Sequence, residues 1–379
     1  MSEKFNGVRI EFHILQSFPV SCLNRDDMGS PKSAIIGGVP RARVSSQCWK
    51  RAVRMKMHEM GVHTAFRTKK MKMICDKFTA QGVPFDLARE CTLNIISALL
   101  KNEEKKTEKA PTADVEAQNV QNAEIPNEGN DEMKGDTLLF ISDSEVSGLI
   151  EAFRKNNFKH LDAKTILSTC QTFFNPAHDG LDIALFGRML ANATDMNVEA
   201  AASFAHAIST HRVNPEIDFF TAVDDDDQAK NKQGSAHLGS LEFNSATYYR
   251  YISLDLGQLA KNLKTDDIVP AVEAFTHALF LAVPAARQTT MSAANPWNYA
   301  IVTVRKGQRM QLPFNTAVRT SAKEPDMVEN SIVALQKKFA DTERMYGSLF
   351  GLKSKTEISL ESGSVDELTD NLKNALEAL

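Results

Sequence analysis

The residues best placed to do chemistry lie between Ser45 and Met60. At roughly 100° per residue, Gln47, Lys50, Arg51, Arg54 and His58 fall within an arc of about 100° on a helical wheel. Trp49, Ala52, Val53, Met57 and Met60 take the other side. One face is core, and the other is cationic and rich in hydrogen-bond donors. Lys50 and Arg54 are one turn apart, roughly 6 Å of rise, near the spacing of successive phosphates on an extended strand. Ser45 or Ser46 can cap the helix, and its first turn offers free N–H groups and a positive dipole end, a ready anion site. The turn before it adds Arg41 and Arg43. Such a face can contact phosphates, or it is simply the basic side of an amphipathic surface helix.

The charge balance sharpens this. Forty-four basic and 48 acidic residues leave the 379-residue chain at −4, which taken alone argues against a nucleic-acid binder. Between Lys32 and Lys72, however, eleven basic residues face one acid, Glu59, so that stretch carries +10 and the remainder −14. A local field of that sign attracts polyanions even in a mildly acidic protein. The composition, 42% hydrophobic and 24% charged, is that of a globular chain. No apolar run suits a membrane span, and the start carries no secretory h-region. Five scattered cysteines, none in a C-x-x-C pair, read as reduced thiols in a cytosol.

The elements around this helix read as α+β. Val8 to Leu15 is a buried strand, and Gly37, Gly38 and Pro40 mark a turn. Gly61 to about Leu185 has helical patterning, broken by Lys101–Asp136. That segment has ten acids, five bases and no aromatic residue, and its composition predicts a disordered loop. Val198 to Ser209 is expected to be helical. Ile217–Val223 and Ala236–Phe243 form a long hairpin with a charged tip. Ala246–Leu256 and Tyr299–Val304 are strands, and Asp266–Val283 is a helix. Ser364 and Glu367 fit a capping box at the start of the last helix.

Other candidate sites carry less. Asp224–Asp227 reads as a solvated hairpin tip and not a metal cluster. Asp26 and Asp27 beside Arg25 could hold Mg²⁺, or orient Arg25 and cap a turn. His206 and His211 miss the zinc-helix spacing and read as structural, His211 as a hinge near the hairpin. Gly37–Gly38 is no phosphate-binding fingerprint. Met55, Met57, Met60, Met71 and Met73 read as adaptable packing.

Several segments in order resemble the CasC family, the backbone subunit of the type I-E Cascade CRISPR surveillance complex. They are SCLNRDD (Ser21–Asp27), the Gly37–Arg54 run, DIALFGRM (Asp182–Met189), AHAISTH (Ala205–His211), EIDFFTAVDD (Glu216–Asp225), QGSAHLG (Gln233–Gly239) and YYRY (Tyr248–Tyr251). The resemblance runs from about residue 8 to residue 300, and the acidic loop looks like an insertion. It implies an α+β fold with a modified RNA-recognition-motif (ferredoxin-like) palm, a helical finger insertion and a β-hairpin thumb. The palm would comprise 1–60, 185–213 and 244–379, the finger 61–184 with 101–136 as its loop, and the thumb 214–243.

Copies would polymerise along one CRISPR RNA, leaving bases between thumbs free to pair with target DNA, with other Cascade subunits as further partners. The resemblance assigns Arg25, Lys32, Ser45, Gln47, Lys50 and Arg54 to the guide backbone, and Met189 to apolar packing near the kink. Arg41, Arg43 and Arg51 join the RNA set by position. Phe219, Phe220, Thr221, Val223, His237 and Leu238 are the thumb residues. No cofactor, metal or catalytic residue is implied. The palm strands lack the aromatic signature of ordinary RNA-recognition motifs, which points to a grip on phosphate and shape. The rival readings are a metal-dependent ribonuclease using Asp26 and Asp27, and a protein-only filament subunit.

Overall fold

The computed structural model describes residues 3–100, 134–223 and 235–379. Most of the expected acidic loop and the tip of the hairpin therefore lie outside the described residues. The chain divides into two units.

The sheet unit comprises Ser2–Met60, Ala202–Gly257 and Asp267–Leu379. Its strands are β1 (Val8–Ser21), β2 (Ser33–Ile36), β3 (Val39–Val44), β4 (Ala202–Phe204), β5 (Ala207–Ser209), β6 (Glu216–Val223), β7 (Ser235–Asp255), β8 (Tyr299–Lys306) and β9 (Leu352–Ser359). Its main helices are α1 (Ser46–Glu59), α2 (Val269–Leu281), α3 (Met327–Tyr346) and α4 (Val365–Glu377). The sheet runs β9-β8-β1-β7-β5-β3-β2, with β4 and β6 also paired to β7. All these strand pairs are antiparallel.

β1 is central and buried on both faces, which is why its sequence reads as a nearly continuous apolar run. With a period of two, Ile10, Phe12 and Ile14 share one face and Glu11, His13 and Leu15 the other. Phe12 meets Phe275 of α2 edge to face, and His13 meets Phe339 of α3 in the same way, so each face is covered by a helix. β7 is long enough to do two jobs. Asn244–Asp255 pairs with β1, while Ser235–Phe243 pairs with β6 in the hairpin.

The α3 face of β1 holds a polar network inside the core. Glu11 Oε1 accepts from the Tyr251 hydroxyl at 2.5 Å and the Met310 N–H at 2.7 Å, and Oε2 accepts from Arg305 Nε at 2.6 Å. His13 Nδ1 lies 2.9 Å from the Tyr249 hydroxyl, which accepts from Leu312 N–H. These bonds stitch the segment after β8 onto the sheet.

Burial, then Arg305, pushes His13 down to about 3. Between that value and the ordinary 6.5 the unfolded chain binds a proton that the folded chain refuses. Stability is therefore lost as pH falls through this window, by about 1.4 kcal/mol per unit. Both tryptophans, Trp49 and Trp297, belong to the sheet unit, so their fluorescence follows its unfolding. His13→Gln, which can still accept from Tyr249, should flatten the urea-midpoint loss between pH 6 and pH 4.5. Equal acid sensitivity in the variant would place the protonation elsewhere.

The helical unit comprises Gly61–Ala201 and Gln258–Asp266. The helices Lys72–Ala80, Phe85–Leu100, Asp143–Lys155 and Ala163–Phe173 pack around Ile74, Phe78, Ile95, Leu99, Leu149, Phe153 and Ile166. A short antiparallel pair, Phe66–Lys70 with Lys134–Ile141, flanks them. Lys134–Asp136, expected in the disordered loop, begins this second strand instead. Residues 185–201, expected in the palm, belong to the helical unit. Arg188 explains this, because its Nη1 lies 2.9 Å from both oxygens of buried Glu145 and its Nε donates to Met196 O.

The expected helix Val198–Ser209 is replaced by β4 and β5. Ala202 pairs with Leu254 and Ile208 with Tyr249, so sheet pairing overrides the helical propensity of an alanine-rich run. All five cysteines are free thiols. Among the described residues no helix is long and apolar enough to cross a membrane.

Candidate nucleic-acid interface

α1 begins where the sequence places it. Ser45 is extended, its hydroxyl accepts from Cys48 N–H at 3.3 Å, and the helix closes at Met60. Trp49, Val53 and Met57 are buried, while Gln47, Arg51 and His58 are exposed and Lys50 and Arg54 half-buried. Under the helix, Arg250 stacks on Trp49 with its guanidinium carbon 3.6 Å from the ring centroid. Burial pushes Arg250 down to about 9.

The loop between β1 and β2 is fastened to the start of α1. Asn24 Oδ1 accepts from Ser45 N–H at 2.9 Å, Asn24 O accepts from Lys32 N–H, and the Cys48 thiol reaches Leu23 O. Asp26 Oδ1 accepts from Met28 N–H at 3.0 Å and Ser30 N–H at 2.9 Å. Asp26 is therefore the staple of its own turn. This loop directs Arg25 outward and brings Lys32 to the first turn of α1. Burial pushes the Cys48 thiol up to about 11 against the opposing pull of Arg51 and Lys32.

β2 and β3 turn over Gly37 and Gly38, both at positive φ. A Cβ on Gly37 would lie 1.8 Å from Asn315 O, so only glycine fits. β3 then delivers Arg41 and Arg43, two positions apart and so on one face of the strand, to different fates, because Ser209 and Phe314 close over Arg41 alone. Arg41 is fully buried and donates to the carbonyls of Ser209, at 2.8 Å, and Phe314. It fastens loops inside the fold and is withdrawn from the expected RNA set. Arg43 is half-exposed, with Nε 3.3 Å from Ser33 O and Nη1 3.2 Å from His206 Nδ1. Lys50 Nζ lies 5.9 Å from the Phe204 ring centroid, and burial lowers its pKa.

Of the residues expected to meet phosphate, Lys32, Arg43, Ser45, Gln47, Lys50 and Arg51 thus gather around the start of α1, with Arg54 one turn further and Arg25 on the adjoining loop. Two more basic residues belong here: His206, which the sequence led us to read as structural, and Arg287, which it did not single out. His206 stands beside Arg43 and Lys32. Arg287, with a left-handed backbone at φ 58°, acts with Arg25 on Cys22. Both lie in segments the resemblance includes, but their neighbours are remote in sequence.

Met189 belongs to the helical unit. Gly187 takes φ 82° against Val198 O, Arg188 turns inward to Glu145, and Met189 is left 87% exposed. In the hairpin, Phe219 and Ile217 are 71% and 58% exposed, an unusual display of large apolar groups. Phe220 faces Gly239, where a Cβ would sit 2.4 Å from its ring, so the glycine makes room for that ring. Thr221 pairs with Leu238, Ala222 with His237 and Val223 with Ser235.

The arrangement presents ammonium, guanidinium, amide and helix N-terminal donors along one surface. Such a surface suits a run of phosphates.

Residues 10–378 match the profile of the CT1975-like protein family. Among solved structures, a chain of a "CRISPR RNA-guided surveillance complex, pre-nicking" is 25% identical with a TM-score of 0.75, over 98% of this chain and 99% of that one. A chain of a second "CRISPR RNA-guided surveillance complex" is 22% identical with a TM-score of 0.65, over 98% and 100%, and is similar in fold. Curated proteins give no match. The chain belongs to the CT1975-like protein family, a family of Cascade backbone subunits.

Proposed function

We propose that this protein binds CRISPR RNA as the repeating backbone subunit of a type I-E Cascade complex, holding the guide for pairing with target DNA in antiviral defence. The observation that carries the reading is the cationic start of α1, where side chains from the β1–β2 loop, β3 and α1 converge. A guide of variable sequence must be held by its backbone, and pre-ordering it lowers the entropy cost of pairing. In this reading the sheet unit serves as a modified RNA-recognition-motif palm, the helical unit as the finger and the β6–β7 hairpin as the thumb. The protein works in the cytoplasm, uses no cofactor and does not cleave.

The exposed Phe219 and Ile217 support a thumb that presses on RNA or on the next copy, since an isolated two-stranded ribbon is marginal in water. The purified protein should carry RNA, seen as a raised 260/280 nm absorbance ratio, and leave guide and target RNA intact in Mg²⁺. Mg²⁺-dependent cleavage lost on Asp27→Ala would favour the ribonuclease reading. Replacing Asp224–Gln233 by a short Gly-Ser turn should leave a folded monomer that no longer forms multi-subunit particles on RNA. Size-exclusion mass on a guide-length RNA decides this, and full-length particles from the shortened protein would sink the thumb assignment.

A further inference from the structure

We infer that His206 completes a phosphate-binding notch with Lys32 and Arg43, and that it grips the phosphate as an imidazolium. The inference rests on the RNA-binding reading above and adds a residue and a proton to it.

The position of His206 is fixed by the sheet. Ala205 N–H donates to Tyr251 O, and Ala207 pairs with Val44, so His206 sits in a two-residue link between β4 and β5 with both neighbours held. Its side chain is exposed, and Nδ1 lies 3.2 Å from Arg43 Nη1. A guanidinium can only donate, so Nδ1 is the acceptor and the proton of the neutral ring is on Nε2. Arg43 is held at its other end by Ser33 O through Nε. Lys32 lies opposite Arg43 across the β2–β3 pair, its carbonyl accepting from Arg43 N–H at 2.8 Å, so three groups from three segments, Lys32 ahead of β2, Arg43 on β3 and His206 ahead of β5, meet at one place.

Among the described residues the charges acting on the ring are Arg43 and Lys32, both positive. Together with burial, the larger cause, they hold His206 below its ordinary value. Cations gathered without a carboxylate beside the imidazole make a site that is short of an anion. A phosphate oxyanion seated there reverses the electrostatics, because the anion favours the charged ring. The imidazole then takes a proton from solvent on Nδ1 and releases Arg43 Nη1, and both groups donate to phosphate. Binding takes up protons, so affinity rises as pH falls. Phosphates of any nucleotide satisfy these groups, consistent with a backbone grip.

The test uses the full-length protein freed of RNA and an oligouridylate, whose bases do not titrate near neutrality. Binding is followed by fluorescence anisotropy at pH 6 and pH 8 at fixed salt. The unsubstituted protein should bind about three- to tenfold tighter at pH 6, one unit of pKa displacement being worth tenfold. Calorimetry in two buffers of different ionisation enthalpy should register proton uptake on binding. His206→Gln, which can accept from Arg43 and donate to phosphate but cannot charge, should match the parent at pH 8 and lose the pH dependence. His206→Ala should also be flat, and weaker at both pH values. Tryptophan fluorescence checks that both variants are folded.

The same pH profile in His206→Gln as in the parent, or binding without proton uptake, overturns the inference. If in that case Lys50→Ala with Arg54→Ala still weakens binding, the RNA-binding reading stands and only the role of His206 fails. An oligouridylate that does not bind at either pH overturns both.

Discussion

Substituting Lys50 and Arg54 together by alanine is expected to weaken RNA binding while leaving the fold in place. The two side chains rise from the polar face of α1, one turn apart, and the face that holds the helix down is Trp49, Val53 and Met57. Each phosphate contact on a single strand contributes about 0.7 to the slope of log affinity against log salt, so losing two should lower that slope by about 1.4. The affinity gained over a tenfold fall in salt then shrinks roughly 25-fold. Unfolding should shift by no more than about 0.5 kcal/mol, as for surface positions in general. Titrating a labelled RNA across 50 to 300 mM salt measures the slope. An unchanged slope with a normal melt would mean that α1 does not face the phosphates.

The second large effect concerns stability. Glu11 and Arg305 are an almost fully buried ion pair on neighbouring central strands. Glu11 also takes bonds from Tyr251 and Met310, and Arg305 donates to Gln308 O and Phe350 O. Glu11→Ala strands the guanidinium without its counter-ion and removes the carboxylate that Met310 N–H and the Tyr251 hydroxyl donate to. The expected loss is about 3–5 kcal/mol, the usual cost of leaving one partner of a buried pair uncompensated. Glu11→Leu with Arg305→Met removes both charges and should recover much of that loss. Urea melts read by Trp49 and Trp297 report this for the sheet unit. A single-variant loss below about 1 kcal/mol would show that water reaches the pair, since only a desolvated pair carries such a cost.

α1 was legible from residue types alone. The alternation of core and cationic positions at a helical period, and a serine ahead of it, are local facts, and Ser45 does cap the helix. The capping box of Ser364 and Glu367 was legible for the same reason. Arg41 and Arg43 were not separable, because two positions apart on a strand they share a face, and only the packing of Ser209 and Phe314 over Arg41 makes that one interior. Glu11 and His13 looked like interruptions of an apolar strand. That they are bound within the core depends on Tyr249, Tyr251 and Arg305, more than 200 residues away.

The 202–209 segment shows the same limit from the other side. Its alanines favour helix, yet β7 offers unpaired backbone groups, and satisfying those across a sheet outweighs a per-residue propensity of a few tenths of a kcal/mol. The sequence by itself determined the amphipathic helix, the local excess of positive charge and, through its motifs, the family. The tertiary structure alone decided which cations reach the surface, and that His206 stands among them. The reason is physical: periodicity and capping act within a few residues, whereas burial and electrostatic fields are set by whatever the chain brings alongside.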